Sequence, residues 1–261
     1  MNVVQLCGGL GNQLFQYAFG RVQKHNGIDV RYDDVWYETY GRGRPYRLDK
    51  FNIDVKIDPF VNQRFIKENR EHGFSPHLMK LDNYNFSGYW QYLGYYTGIL
   101  DILRKELRVR EEFYTEKYLK LHKQITEKPS VSIHVRRGDY IGLNKPLFQI
   151  MPLTYYFKAL EHLEGDLFIF SDDIPWCKEN FKQAYFSRKV TFVGMIDYLD
   201  YELMKSCKHN IISGSSFSWW PAILNDTPGK KVVAPERWIV TVRDEENYNN
   251  KIHYPKEWIK I

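Results

Sequence analysis

The sequence has few cysteines: three in 261 residues, at positions 7, 177 and 207. They are odd in number, far apart and never in a CxxC pair. That argues against a disulfide framework or a cysteine-built zinc site and fits a reducing compartment. No apolar run approaches the roughly 18 residues that span a bilayer, and residues 1–6 lack the basic start and long apolar stretch of a secretion signal. A cytoplasmic protein is expected, free or resting peripherally on the inner face of a membrane. No Pro/Gly/Ser-rich stretch, low-complexity segment or short-period repeat is present, so the chain is expected to fold throughout. An excess of one charge is also lacking. Lys and Arg number 37 against 32 Asp and Glu, a net +5 dispersed along the chain. This balance suits a phosphate-bearing ligand or an anionic surface, and it excludes nucleic acid as the expected partner. No feature of the composition sets an oligomeric state.

Apolar residues at 43% and aromatics at 16% supply enough surface for a sizeable core. Short apolar runs recur in the second half, at 131–135, 167–170, 190–193, 210–212 and 232–234. Segments 154–163, 175–184 and 196–207 lie between them and are long enough for crossover helices. Strands alternating with helices predict a parallel sheet covered on both faces. The first half opens in the same way, with a strand at 3–6, a glycine loop at 7–11 and a helix at 12–26. Leu14, Phe15, Ala18, Phe19 and Val22 share one face of that helix. A second strand follows at 28–32 and a charged helix at 99–107, whereas 37–85 shows no regular pattern. The polar stretch 123–130, with Pro129, is the expected linker. A paired α/β chain is therefore expected, with units at 1–124 and 125–261.

In a parallel sheet the residues just after each strand gather at the carboxyl edge, where ligands bind. Here those residues are His134, Arg136, Arg137 and Asp139, then Ser171, Asp172 and Asp173, then Gly194, then Ser213 to Phe217. A guanidinium can grip two phosphate oxygens at once. Ser215 and Ser216, opening a helix, can meet a phosphate with hydroxyls and backbone N–H groups. A carboxylate at Asp172 or Asp173 can accept from guanine. Each feature also has a plainer reading: a solvated arginine pair, a helix N-cap at Asp173 and core packing for Trp219 and Trp220. Their joint placement at one edge points to a site for a phosphate and a heterocycle. The loop GGLGNQ has Leu14 where a dinucleotide fingerprint would carry its third glycine, although Asp33 and Asp34 lie near the acidic position. The other reading is a loop that lets backbone approach a diphosphate, helped by the Asn12 amide.

Four motifs, GGLGNQLFQYAFG (8–20), HVRRGDY (134–140), FSDD (170–173) and SGSSFSWWPAILN (213–225), closely resemble those of bacterial α-1,2-fucosyltransferases, glycosyltransferase family 11. GYWQYLGYY (88–96) and MPLTYYFKAL (151–160) extend the resemblance over nearly the whole chain, in the family's order. HVRR alone also occurs in related α-1,6- and protein O-fucosyltransferases; its combination with GGLGNQ and SSFSWW narrows the match.

The resemblance implies a GT-B fold, with two Rossmann-like domains facing across a cleft and the last 15 or so residues (247–261) crossing back onto the first. It also implies inverting transfer from a GDP-fucose donor and no metal or other cofactor. Arg136 would then bind the β-phosphate, and His134 with Asp172 or Asp173 would recognise guanine. Ser215, Ser216 and Phe217 would hold the diphosphate, with Gly9, Gly11 and Asn12 closing over it. The acceptor would be the 2-hydroxyl of a terminal β-galactoside on an oligosaccharide or lipid-linked glycan. Tyr89, Trp90 and Gln91 are candidates to contact it, stacking on a sugar or packing in the core. For the general base the residues leave several options: Asp139, which could instead orient an arginine, or Asp33, Asp34 and Glu38. Two rival readings stay open. One is a metal-dependent transferase using Asp172 and Asp173; the other is a nucleotide-binding protein that is either not catalytic or an oxidoreductase.

Overall fold

A computed structural model describes residues 1–41, 43–60, 64–68, 74–141, 149–237 and 254–261, with Asp139 described in its backbone alone. Of these, 1–110 form one compact unit, and 111–237 with 254–261 form a second.

The first unit holds β1 (Asn2–Gln5), β2 (Val30–Asp33), β3 (Phe65–Lys67) and β4 (Asn85–Ser87), all parallel, in the order β2-β1-β4-β3. Helix α1 (Leu10–His25) connects β1 to β2 and is buried along most of its length. Lys24 and His25 in its last turn complement the helix dipole. Gly27, at φ 87°, takes the left-handed conformation that commonly ends a helix. Gly20 allows α1 to lie against Tyr32: a Cβ there would sit 2.7 Å from the Tyr32 hydroxyl oxygen, which donates to the Tyr17 carbonyl at 2.9 Å. That contact accounts for the final glycine of GGLGNQLFQYAFG. Short helices α2 (Val35–Thr39) and α3 (Leu100–Glu106) complete the elements used below.

The second unit contains α4 (Glu116–Glu127), β5 (Ser130–Val135), α5 (Leu153–Leu160), β6 (Asp166–Ser171), α6 (Ile174–Asn180), β7 (Val190–Val193), α7 (Asp197–Ser206), β8 (His209–Ile211), α8 (Ser216–Leu224), β9 (Val232–Ala234) and β10 (Ile259–Lys260). Its parallel sheet runs β10-β9-β8-β5-β6-β7 among the described residues. Strand β5, in the interior of this order, is buried at every position, as expected for a parallel strand covered on both faces. A buried amide network ties β8 to α8. Asn225 Nδ2 donates to the Asn210 side chain at 2.8 Å and to the Cys207 carbonyl at 2.7 Å. Asn210 Nδ2 donates in turn to Ser132 and to the Met204 carbonyl.

The division between the units falls at 110/111 and not at 124/125. The expected linker 123–130 is the end of α4 and the first residue of β5. Thr115 caps α4 by accepting from the Tyr118 amide, and Tyr118 and Ile125 bury its apolar side against the second unit, where it packs on α7. The polar composition that suggested a linker is the solvated face of this helix. Of the terminal segment expected to cross back, 254–261 belongs to the second unit, where β10 pairs with β9; 247–253 lies outside the described residues. Among the described residues no helix is long and apolar enough to cross a membrane.

Candidate active site

Strands β5 and β6 pair in register from Ser130↔Asp166 to Val135↔Ser171, so their carboxyl ends stop side by side. Arg136 and Arg137 leave one strand as Asp172 and Asp173 leave the other, and the four residues form two ion pairs. Arg136 Nη1 lies 2.7 Å from Asp172 Oδ2, and Arg137 Nε lies 3.0 Å from Asp173 Oδ2. The Arg137 amide also donates to Asp172 Oδ1 at 3.0 Å. Each guanidinium has an aromatic neighbour as well, Arg136 with Tyr140 at 5.3 Å and Arg137 with Trp176 at 4.0 Å. The turn Gly138–Tyr140 follows closely; a Cβ on Gly138 would lie 2.5 Å from Asp172 Oδ2.

Asp173 also caps α6, accepting from the Trp176 amide at 3.1 Å through its other oxygen. The hydrogen bond from Arg137, then that of the Trp176 amide, holds its carboxyl below the ordinary range. Both acidic side chains therefore face arginines. Among the described residues no group of three or more His, Cys, Asp or Glu is arranged to hold a metal.

His134 is the fifth residue of β5 and only 3% exposed. Its Nδ1 lies 2.8 Å from the Ser213 hydroxyl beyond β8, and its ring centroid lies 5.4 Å from that of Phe217. Burial, reinforced by the charge of Arg136, pushes its pKa down to about 3, so the ring is neutral at physiological pH. Ser215 caps α8 by accepting from the Phe217 amide at 3.3 Å, and Ser216 is the first helical residue. Tyr140 bridges the two loops by donating to the Gly214 carbonyl at 3.3 Å. The edge thus joins His134, Arg136, Asp172, Asp173, Ser215, Ser216 and Phe217 around two fixed cations and a helix N-terminus. The side chain of Asp139 lies outside the described residues.

In the first unit the glycine loop sits at the carboxyl end of β1. Gly8 has φ 80°, and Gly9 is the N-cap of α1 with no side-chain hydrogen bond closing it. Gly11 is buried in the first turn. The loop is tied down by amide side chains of its own motif. Gln13 Nε2 donates to the Gly8 carbonyl at 3.2 Å and to the Pro45 carbonyl at 3.0 Å. Gln16 accepts from the Cys7 amide at 2.9 Å and donates to the Gly88 carbonyl at 3.0 Å. Asn12 Oδ1 accepts from Gln91 Nε2 at 2.9 Å. Gln13 and Gln16 were not foreseen; two fully buried glutamines three apart on an otherwise apolar helix face are the signal that marks them.

Two of the acceptor candidates are corrected here. Trp90 is 1% exposed and stacks on Phe19 at 4.1 Å, which leaves no face for a sugar. Gln91, 7% exposed, is spent on Asn12. Tyr89 is half-buried, with its amide bound to Glu68. Asp33 also leaves the set of candidate bases: it is buried, and its two oxygens accept from the Val35 and Phe60 amides. Asp34 precedes α2, and Glu38 is exposed within it.

The family model described as glycosyl transferase family 11 matches residues 47–261. An α-1,2-colitosyltransferase of Escherichia coli is 30% identical, the alignment covering 99% of this chain and 98% of that protein. The O-antigen biosynthesis glycosyltransferase WbnK, also of Escherichia coli, is 27% identical over 89% of this chain and 93% of its own length. A human galactoside α-(1,2)-fucosyltransferase is 30% identical over 36% of this chain and 28% of that protein. Among solved structures, an α-1,6-fucosyltransferase NodZ co-crystallized with GDP superposes with a TM-score of 0.53 at 13% identity, covering 84% of this chain and 90% of that one. The fold is GT-B.

Proposed function

Because the chain belongs to glycosyl transferase family 11, we propose that it transfers L-fucose from GDP-fucose to the 2-hydroxyl of a terminal β-galactoside on an oligosaccharide or lipid-linked glycan. Transfer inverts the anomeric centre, converting a β-linked donor to an α-fucoside, and requires no metal. The observation that carries this reading is Arg136, held in one orientation by Asp172 at 2.7 Å beside the neutral His134 and the N-terminus of α8.

Breaking the donor's glycosidic bond leaves negative charge on GDP, and catalysis follows from stabilising that charge more in the transition state than before it. An oriented guanidinium does this in the place a divalent cation takes in metal-dependent transferases. Ser215, Ser216 and Phe217 offer the hydroxyls and amides of a helix start to the diphosphate. Gly9, Gly11 and Asn12 are proposed as donor-side groups of the first unit. Asp139, in the turn directly after Arg136, is the proposed base for the acceptor proton, and its Asn variant tests that role. The engagement of Asp172 and Asp173 with arginines supports metal-independent transfer over the metal-dependent alternative.

A second donor reading, transfer of colitose, is favoured by the alignment with the colitosyltransferase over 99% of the chain. The test is turnover of GDP-fucose and of a colitosyl donor against lactose and other β-galactosides, in EDTA, with the product linkage determined. An EDTA-resistant α-fucoside on the galactose 2-hydroxyl supports the proposal. Colitosyl transfer alone selects the second reading, loss of activity in EDTA selects the metal-dependent one, and GDP binding without transfer selects a non-catalytic module.

A further inference from the structure

Among the motifs of the first unit, GYWQ (88–91) has no assigned task once Trp90 and Gln91 are removed from the acceptor surface. Trp90 has φ 55°, a left-handed backbone that a bulky residue rarely takes. Its surroundings hold it there from three sides. The carboxylate of Glu68, just beyond β3, accepts from the Tyr89 amide at 2.7 Å and the Trp90 amide at 2.9 Å. The Trp90 carbonyl accepts from the Tyr92 amide at 2.9 Å and from the Tyr96 hydroxyl. The indole stacks on Phe19 of α1. Gly88 lets Glu68 reach in, since a Cβ there would lie 2.4 Å from Glu68 Cβ.

The turn delivers Gln91 to Asn12. Gln91 Nε2 donates to Asn12 Oδ1, so the Asn12 amide nitrogen is directed away from Gln91. That nitrogen lies over Gly8, where a Cβ would come within 2.6 Å of it. Gly8 therefore serves twice: it takes the positive φ and leaves room for the Asn12 amide. An asparagine side chain can lie either way round; here the hydrogen bond from Gln91 decides which way it lies.

We infer that Glu68 and Gln91 are positioning residues that fix the Asn12 amide over the glycine loop, its oxygen held on Gln91 and its nitrogen over Gly8. This rests on the proposed donor-side role of Asn12. Neither residue touches substrate; each acts through the Trp90 turn and the Asn12 amide. Misplacing a catalytic contact by about 1 Å can cost roughly a hundred-fold in rate, so a freed Asn12 is expected to lower kcat by that order.

The experiment compares Asn12→Ala, Gln91→Met, the double variant and Glu68→Gln, by kcat and KM for GDP-fucose with lactose and by thermal melting. Gln91→Met keeps the size of the side chain and removes its donor. The expected result is a kcat loss of roughly ten- to a hundred-fold in Asn12→Ala, Gln91→Met and Glu68→Gln. The double variant should be no worse than the poorer single, and Gln91→Met should melt with the parent. Full turnover by Gln91→Met alongside an impaired Asn12→Ala would overturn the positioning role and leave the loop's role standing. Losses that multiply in the double variant would also overturn it. Full turnover by Asn12→Ala would remove the loop's role and the positioning role together.

Discussion

Arg136 Nη1 and Asp172 Oδ2 meet at 2.7 Å across the ends of two paired strands, β5 and β6. The register places them there: Val135 pairs with Ser171, and the next residue on each strand carries the charge. Both side chains are about a quarter exposed, so the pair is only partly screened by solvent. Its value is orientation of the guanidinium more than stability.

Arg136→Lys retains charge and loses the planar fork. Its kcat is expected to fall roughly a hundred- to a thousand-fold, with an unchanged melting temperature. Steady-state kinetics on the folded variant check this, and near-parental turnover would remove Arg136 from the proposed role.

Asp172→Asn keeps an acceptor for the Arg137 amide and loses the ionic partner of Arg136. A kcat lower by about ten-fold or more is expected. Combined with Arg136→Lys it should add little, because both changes act on one contact. A double-mutant cycle in kcat measures this directly, and fully additive losses would show that Asp172 acts elsewhere.

Trp90→Ala should destabilise the first unit by about 3–5 kcal/mol, the range for truncating a large buried aromatic. Trp90→Phe should cost less. Denaturant melts test the change, together with the lactose KM of the folded fraction. A raised KM with unchanged stability would restore Trp90 to the acceptor surface.

Two buried titrating groups give opposite pH trends in the second unit. His134 titrates at about 3 when folded against an ordinary 6.5, so its contribution is complete above pH 6.5 and is lost as pH falls towards 3. Asp200, whose carboxylate accepts from the Met195 amide, is raised by burial from 3.8 to about 7. Its contribution is complete below 3.8 and is lost as pH rises through 7. Asp200→Asn should therefore melt higher than the parent by a margin that grows from pH 5 to pH 8. A margin independent of pH would mean that Asp200 ionises normally.

The second unit was legible in the sequence because its strands are continuous apolar runs. The expected 131–135, 167–170 and 232–234 became Ser130–Val135, Asp166–Ser171 and Val232–Ala234. The carboxyl-edge rule then collected His134, Arg136, Asp172, Asp173 and Ser215 without any coordinates. It could not say that the acids and the arginines would neutralise one another, since that depends on register between strands 36 residues apart. In the first unit β3 and β4 escaped notice: Phe65–Lys67 and Asn85–Ser87 are three residues each and too short to show a period. Glu68 escaped with them, because its partners lie 21 and 22 residues further along the chain.

The interior pairings of both sheets join distant parts of the chain, Val3 with Asn85 and Val131 with His209. Neither pairing can grow by zipping outward from a local turn, so each must await collapse of the intervening chain around its helices. Parallel sheets closed over such separations fold slowly and expose unpaired strands while they do so. Refolding of this chain should accordingly be slow and prone to aggregation, and low temperature and dilution should favour its recovery.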